Sequence, residues 1–263
     1  MGADQQMGEY NQTSGPVLTT ISKAFRVIEY LHDHDGAGVT EVANALNLPK
    51  STIHSYLNTL ASEDYVVKSG DKYQVSWQFL RIGGMRRYRT QLYQIAREEL
   101  KSLTLELDEL TNLIVEENGL GVLLLRVRFP ACVDDNDSVG QYHYLHTTAG
   151  GKAILAHLSE RRRSEIIARR GLPAATNETT TREDELLDEL EEIRDRGFAV
   201  SSEAHREGLS AVACAILDPN DDVVGAISVS GPATRITPER VAGEISEGIL
   251  RAKNVIELKI RHD

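Results

Sequence analysis

Apolar residues near the N-terminus repeat at the spacing of one helix face, and they predict three short helices. The first helix runs from Thr19 to about His32, and its stripe comprises Ile21, Ala24, Phe25, Ile28 and Leu31. A polar stretch at 33–36 breaks it, and Thr40 is the expected N-cap of the second helix. Pro49 suits the first turn of a third helix, whose inward face comprises Ile53, Tyr56, Leu57 and Leu60.

The outward face of the third helix is small and polar, and a predicted hairpin follows it. The hairpin strands at 65–68 and 72–75 flank a turn at Gly70, which places Lys68 and Lys72 beside the tip. This order is typical of a winged helix-turn-helix, in which hairpin cations meet phosphates and the third helix reads base edges. The alternative is a helical hairpin without DNA contact. The candidate DNA contacts are Lys50, Ser51, Thr52, His54, Ser55, Asn58, Lys68 and Lys72.

A hinge candidate and a second domain follow the hairpin. Gly83 and Gly84 interrupt a helical pattern just before a basic cluster at 86–89, and the alternative to a hinge is an exposed helix end. A long helix then begins at Leu92, and its apolar stripe reaches Leu110. Strands are predicted at 111–115, 121–127, 141–145, 198–201, 210–217 and 223–229, and helices at about 149–158, 159–169, 182–194 and 238–262.

Short connections between these strands indicate an antiparallel sheet flanked by helices, so the predicted fold class is α+β. A chain of 263 residues suits this division into two modest domains. The predicted organisation is a disordered tail at 1–17, a winged helix-turn-helix at 18–76, a linker helix at 77–91 and a second domain at 92–263.

Charge is distributed unevenly over the two predicted domains. The net charge is −11, yet the first 90 residues carry nine basic and nine acidic side chains, so the excess acid lies beyond them. An acidic body repels a polyanion, and any nucleic-acid contact is therefore expected from the N-terminal domain. The absence of a long apolar run and of a signal-peptide pattern predicts a cytoplasmic protein with no membrane partner.

Small and polar residues in the second domain predict a pocket for a metabolite. Ala149, Gly150 and Gly151 come where a strand passes into a helix, so their N–H groups and the helix dipole could hold a carboxylate. The alternative is that the glycines serve tight packing. Ser228 and Ser230 share one face of a strand and could bond a polar ligand if that face lines the cavity.

Two further patterns in this domain suggest cofactors, but neither is complete. A phosphate-binding loop around Lys152 would need Gly in place of His146, so nucleotide hydrolysis is not expected. His143 and His146 are three apart on a strand and point to opposite faces, which argues against chelation with Asp134, Asp135 and Asp137. No metal or other cofactor is predicted. The loop at 129–140 is a candidate lid over the pocket.

Four segments together resemble the IclR family of transcription regulators. They are Pro-Lys-Ser-Thr-Ile-His at 49–54, His-Thr-Thr-Ala-Gly-Gly-Lys-Ala at 146–153, the stretch 196–208, and Ala-Ile-Ser-Val-Ser-Gly-Pro at 226–232. The resemblance implies that a GAF-like effector-binding domain follows the winged helix. It also implies effector contacts from Ser228, Ser230 and residues near Ser202, Glu203, Cys214 and Ala215. Ser55 stands where many members carry Arg, so the operator sequence does not transfer from relatives.

The resulting prediction is a sequence-specific DNA-binding regulator controlled by a small metabolite, of the organic-acid or sugar-acid class. A single head offers few cations, so a homodimer or homotetramer on a double-stranded operator is expected. One alternative is an enzyme with Glu203 or His205 as acid or base, although no nucleophile, base and orienting group can be assembled. Another is a second domain that serves oligomerisation alone.

Overall fold

The computed structural model describes residues 15–129 and 137–262. The chain divides after Arg87 into two compact units. Most of the expected tail and of the candidate lid lies outside the described residues, and so do Cys132, Asp134 and Asp135.

The N-terminal unit is a winged helix-turn-helix, as predicted. A single apolar core joins the helices to the hairpin, and Val27, Ile53 and Val66 are among its buried members. Tyr73 bridges back to Ala37 ahead of the second helix. The elements are α1 (Thr19–Asp33), α2 (Val39–Leu46), α3 (Lys50–Ser62), β1 (Val66–Ser69), β2 (Lys72–Val75) and α4 (Gln78–Arg89).

Two local expectations in this unit are corrected. The N-cap of α2 is Gly38, because the Glu41 carboxylate accepts a hydrogen bond from the Gly38 N–H at 2.7 Å, and Thr40 lies inside the helix. Gly83 and Gly84 do not interrupt α4, which continues through both to Arg89. Glycine lowers helix stability without abolishing the helix, and neighbouring turns outweigh that cost here.

The second unit is an antiparallel sheet flanked by helices, which confirms the α+β class. Its six strands lie in the order β5-β4-β3-β8-β7-β6. The strands are β3 (Leu110–Glu117), β4 (Leu120–Val127), β5 (Tyr142–Tyr144), β6 (Ala199–Ser202), β7 (Leu209–Leu217) and β8 (Val223–Pro232). The helices are α5 (Gln91–Leu107), α6 (Ala149–His157), α7 (Glu160–Arg170), α8 (Glu183–Arg196), α9 (Pro238–Arg240) and α10 (Ser246–His262).

Two helix ends differ from the expected pattern. Asp108 adopts a left-handed φ of 53° and ends α5, so Leu110 begins a strand and does not extend the helical stripe. The predicted helix at 238–262 is divided by a wide turn at Val241–Ile245, where Gly243 leaves the helical region. None of the helices in the described ranges combines the length and apolar character needed to cross a membrane.

Helices cover both faces of this sheet, and the pleat sorts side chains between two cores. Ile227 and Val229 of β8 face the core that includes α5 and α10. Ala226 faces the core built around α6 and α8. Since successive strand residues point to opposite faces, Ser228 and Ser230 lie on the α6 side.

Candidate functional site

The outward face of α3 presents a row of hydrogen-bonding side chains to solvent. Lys50, His54 and Asn58 are all exposed. The Asn58 amide donates to Nδ1 of His54 at 3.1 Å, which places the proton of a neutral His54 on Nε2. Ser55 donates to the Ser51 carbonyl oxygen at 3.0 Å and keeps its lone pairs for an outside donor. This face can therefore offer donors and acceptors to base edges.

The hairpin carries its cations on the solvent side. Lys68 and Lys72 are exposed, and Gly70 takes a left-handed φ of 61° in the turn between the strands. The Lys68 ammonium lies 5.6 Å from the centre of the Tyr73 ring. Tyr73 is buried, so it gives the lysine a fixed platform.

The second unit contains a cavity of about 670 Å³, part of which is open to solvent. It lies on the α6 side of the sheet, which is the side of Ser228 and Ser230. Apolar side chains and a few polar groups line it together, as is typical of small-molecule sites. The described lining residues are Asn112, Ile114, Gly121, Leu123, Asp137, His143, Thr148, Ala149, Gly150, Ser201, His205, Leu209, Ser210, Ala211, Ser228 and Ser230.

A buried carboxamide links the two predicted serines on the cavity wall. Asn112 stands opposite Ser228 in the β3–β8 pair, and its Nδ2 lies 3.2 Å from the hydroxyl oxygens of both Ser228 and Ser230. Only 8% of Asn112 is exposed, and its Oδ1 meets no hydrogen-bond partner among the described residues. Buried polar atoms are normally paired, so this oxygen marks a place for a donor from a ligand or water.

Three ionisable groups from separate segments meet in the same cavity. Asp137 Oδ2 lies 3.4 Å from His143 Nε2 and 3.8 Å from His205 Nε2, and Arg206 approaches Oδ1 at 3.4 Å. Burial acts to raise the pKa of the Asp137 carboxyl, but the two imidazoles outweigh burial and hold that pKa well below its ordinary value. Asp137 is therefore an anion at neutral pH.

The loop that carries His205 is tied down by hydrogen bonds. Glu203 accepts a bond from the Gly208 N–H at 2.6 Å, which closes the turn around His205. Thr179 donates to the Ala204 carbonyl oxygen at 2.6 Å from the other side. Glu203 thus positions the loop, and it is not among the residues that line the cavity.

The first turn of α6 offers part of the expected anion cradle. Ala149 and Gly150 line the cavity. The Gly151 N–H is already bonded to the Thr148 hydroxyl at 3.0 Å, and a Cβ on Gly151 would lie 2.2 Å from the Leu145 carbonyl oxygen. Gly151 thus serves close packing. Lys152 is also committed, because its ammonium pairs with Glu189 at 2.7 Å.

Three other residues expected at the effector lie elsewhere. Cys214 faces the α10 core, where its thiol lies 3.7 Å from the Ile249 carbonyl oxygen and burial raises its pKa well above the usual range. Ala215 is packed in the apolar core beside α6. Ser202 is exposed, because it follows Ser201 along β6 and so points to the opposite face.

The sequence reasoning did not assign several of the lining residues to the pocket. Asn112 had no local signal, since it sits in an apolar strand without a motif. Ser201 is followed directly by Ser202, and Ser210 is a single serine between Leu209 and Ala211, so alternation alone could not assign either to the cavity. His146 turns away from His143, and its Nε2 lies 2.9 Å from the Pro173 carbonyl oxygen.

A winged helix and an α+β domain with a polar cavity, joined in one chain, define a DNA-binding transcription regulator with a ligand-binding domain. The family model described as the IclR helix-turn-helix domain matches residues 20–70, and that described as bacterial transcriptional regulator IclR C-terminal matches residues 88–256. The chain belongs to the IclR family of transcription regulators.

Relatives support the same assignment over nearly the whole chain. The probable HTH-type transcriptional regulator ArcR of Halobacterium salinarum is 30% identical over 252 residues, which is 92% of this chain and 94% of that protein. The crystal structure of Thermotoga maritima IclR superposes with a TM-score of 0.79 at 27% identity, covering 92% of this chain and 98% of that one. The protein is a regulator, and the enzyme alternative is excluded.

An IclR homologue from Microbacterium hydrocarbonoxydans complexed with 4-hydroxybenzoate has the same fold. Its TM-score is 0.78 at 20% identity, and the match covers 93% of this chain and all of that one.

Proposed function

We propose that this regulator binds its operator through α3 and the hairpin, and that a small carboxylate in the cavity controls that binding. The observation that carries the proposal is the cavity itself, in which Asn112 and two serines form a buried polar wall beside the first turn of α6. Helix N-termini favour anions, and the polar wall can bond the rest of a hydroxylated acid. The structural relative solved with 4-hydroxybenzoate supports an acid of this general class.

The DNA contacts are proposed to divide between positioning and reading. Lys50, Lys68 and Lys72 would meet phosphates, because exposed ammonium groups act as sequence-independent partners of the backbone. His54 and Asn58 would read bases as a coupled pair, with Ser51, Thr52 and Ser55 beside them.

A symmetric assembly is part of the proposal. The N-terminal unit exposes large apolar side chains on α1 and α4, and Trp77 beside α4 is 84% exposed. Several large apolar side chains exposed on one unit favour a partner, and a second copy would supply a second head for a two-half-site operator. The exposed set of this unit comprises Ile21, Phe25, Trp77, Leu80, Ile82 and Met85.

A thermal-shift screen followed by gel shift tests the effector site. The wild type is melted with aliphatic, hydroxy and aromatic carboxylic acids, 4-hydroxybenzoate included, because a compound that binds the native state raises its melting temperature. The double variant Ser228→Ala with Ser230→Ala is expected to lose the rise in melting temperature. It should keep its affinity for DNA from the region upstream of its own gene. Ser202→Ala, on the exposed side of β6, is the matched control.

Two results would count against this proposal. A double variant that responds like the wild type would place the ligand elsewhere. If no acid shifts the wild type, the carboxylate effector is ruled out, and the alternative of a second unit that serves oligomerisation alone is favoured.

A further inference from the structure

Two imidazoles and one carboxylate converge in the cavity although they come from three distant points of the chain. One ligand atom each of Asp137, His143 and His205 lies within 4.8 Å of the other two. The imidazole rings of His143 and His205 meet edge to face, with centroids 4.5 Å apart. Such a convergence of electron-pair donors needs protons or a cation between the groups.

The hydrogen bonds around His205 give its two ring nitrogens different roles. The Thr147 hydroxyl donates to the Tyr144 carbonyl oxygen at 2.9 Å, so it can only accept from Nδ1 of His205 at 3.4 Å. Nδ1 of His205 therefore carries a proton, and Nε2, the nitrogen that faces Asp137, is the atom that can bind a metal in place of a proton. An outer partner of this kind is what orients histidines that bind metals.

His143 presents the same situation from β5. Its Nε2 is buried and makes no well-aligned hydrogen bond among the described residues, although Asp137 Oδ2 is 3.4 Å away. Two imidazole nitrogens and a carboxylate oxygen are thus directed at one place in the cavity.

The spacing and chemistry of the three groups fit a transition metal. Nitrogen and oxygen ligands about 2.0–2.1 Å from a tetrahedral zinc ion stand roughly 3.3–3.4 Å apart. The distances of 3.4 and 3.8 Å from Asp137 to the two histidines come close to this value without a metal. Imidazole ligands favour zinc and its first-row neighbours, whereas calcium and magnesium require oxygen sets.

We propose that Asp137, His143 and His205 bind one divalent transition-metal ion, and that its open coordination position takes an oxygen of the effector. The second half rests on the proposed function of the cavity. Three protein ligands leave a fourth position, and the unpaired Oδ1 of Asn112 in the same cavity provides a buried acceptor for a hydroxyl of the incoming molecule. Spacing along the sequence pairs His143 with His146 and not with His205, because His205 lies in a loop far along the chain.

Direct metal titration of the full-length chain without a polyhistidine tag tests the site. The protein is stripped with chelator, dialysed, and titrated with ZnCl₂ by calorimetry and with CoCl₂ by visible absorption. We expect one ion per protomer and a cobalt spectrum of a four- or five-coordinate site. Asp137→Asn and His205→Gln should weaken binding by more than the roughly 10- to 100-fold that loss of an outer partner costs.

Two further variants separate ligation from general damage. Thr147→Val removes the outer partner of His205 with little change of shape, and it should weaken zinc binding about 10- to 100-fold. His32→Gln, on the exposed face of α1, should leave zinc affinity unchanged. Melting curves identify any variant that does not fold. If a variant fails in this way, the cobalt spectrum of the wild type alone decides whether the metal site exists.

Several outcomes would overturn the inference. Zinc that binds the wild type no better than Asp137→Asn, or a cobalt spectrum like that of the hydrated ion, removes the metal site. Protonated imidazoles would then be the partners of any acid bound there. A different result is that metal binds while 4-hydroxybenzoate and the other acids raise the melting temperature of stripped and zinc-loaded protein equally. That result contradicts only the claim that the metal binds the effector. DNA binding is scored separately in the gel shift, so failure of the proposed regulator function remains distinguishable.

Discussion

At the scale of single residues, Gly151 shows how one missing side chain shapes the ligand-binding unit. A Cβ at this position would lie 2.2 Å from the Leu145 carbonyl oxygen and 2.5 Å from the Leu145 Cα, so it would meet backbone that cannot swing aside. Gly83 is the opposite case, because a Cβ there would meet nothing within 4 Å. One glycine is required by space, and the other lowers the stability of an exposed helix.

These two glycines give a matched prediction. Gly151→Ala should lower the free energy of unfolding by about 1–3 kcal/mol, the usual range for an overpacked site. Gly83→Ala should leave it unchanged or raise it by up to about 1 kcal/mol, since alanine restricts the unfolded chain and suits a helix. Urea unfolding followed by circular dichroism measures both, and equal effects would contradict the packing argument.

At the scale of elements, the β1–β2 hairpin holds cations at a defined place. Its two strands pair Lys68 with Tyr73 and Ser69 with Lys72, and the left-handed Gly70 makes the tight turn possible. The strands themselves are anchored by buried Val66 and Tyr73. Packing fixes the base of the hairpin, so the two ammonium groups near its tip are available to a polyanion.

The salt dependence of DNA binding reports on these cations. Lys68→Ala with Lys72→Ala should reduce the slope of log affinity against log salt by about 0.9 for each phosphate that the variant no longer neutralises. Lys101→Ala is the control, because Lys101 is an exposed residue of α5 that pairs with Glu98. A double variant with the wild-type slope would show that the hairpin does not touch the DNA backbone.

At the scale of the whole molecule, charge and apolar surface divide between the two units. The N-terminal 90 residues are neutral overall and the remainder carries the net charge of −11, so the DNA-binding unit is the part that a polyanion can approach. That unit also exposes the apolar side chains of α1 and α4. The charge favours DNA contact through the N-terminal unit, and the exposed apolar side chains favour the proposed assembly through it.

Assembly can be tested by making this apolar surface polar. Phe25→Ser with Leu80→Ser should reduce the mass of the particle measured by light scattering, towards the 29.1 kDa of one chain. Operator affinity should fall with it, since a lone head offers few cations. Leu258→Ser, at an exposed site on α10, is the control. A wild type that is already monomeric would rule out the proposed assembly.

Much of the architecture followed from local patterns because their physical causes are local. Helix stripes, the Gly70 turn and strand alternation depend on neighbours a few residues apart, and most of the predicted elements lie within a few residues of their observed bounds. The errors were local too. Glu41 rather than Thr40 supplies the side chain at the start of α2, and the helix tolerates Gly83 and Gly84.

Which face of a strand lines the cavity was decided by the tertiary structure alone. Helices cover both sides of the sheet, so β7 is apolar on both faces and its sequence does not show which side Cys214 takes. The same limit applies to the three groups of the proposed metal site. They come from β5, from the segment before it and from the loop after β6, and only the pairing of strands in the sheet brings these segments together.

The sequence by itself determined the two domains and their class, because periodicity and turn chemistry are short-range. Only the packed sheet determined which polar groups meet, because that depends on contacts between residues far apart in the chain.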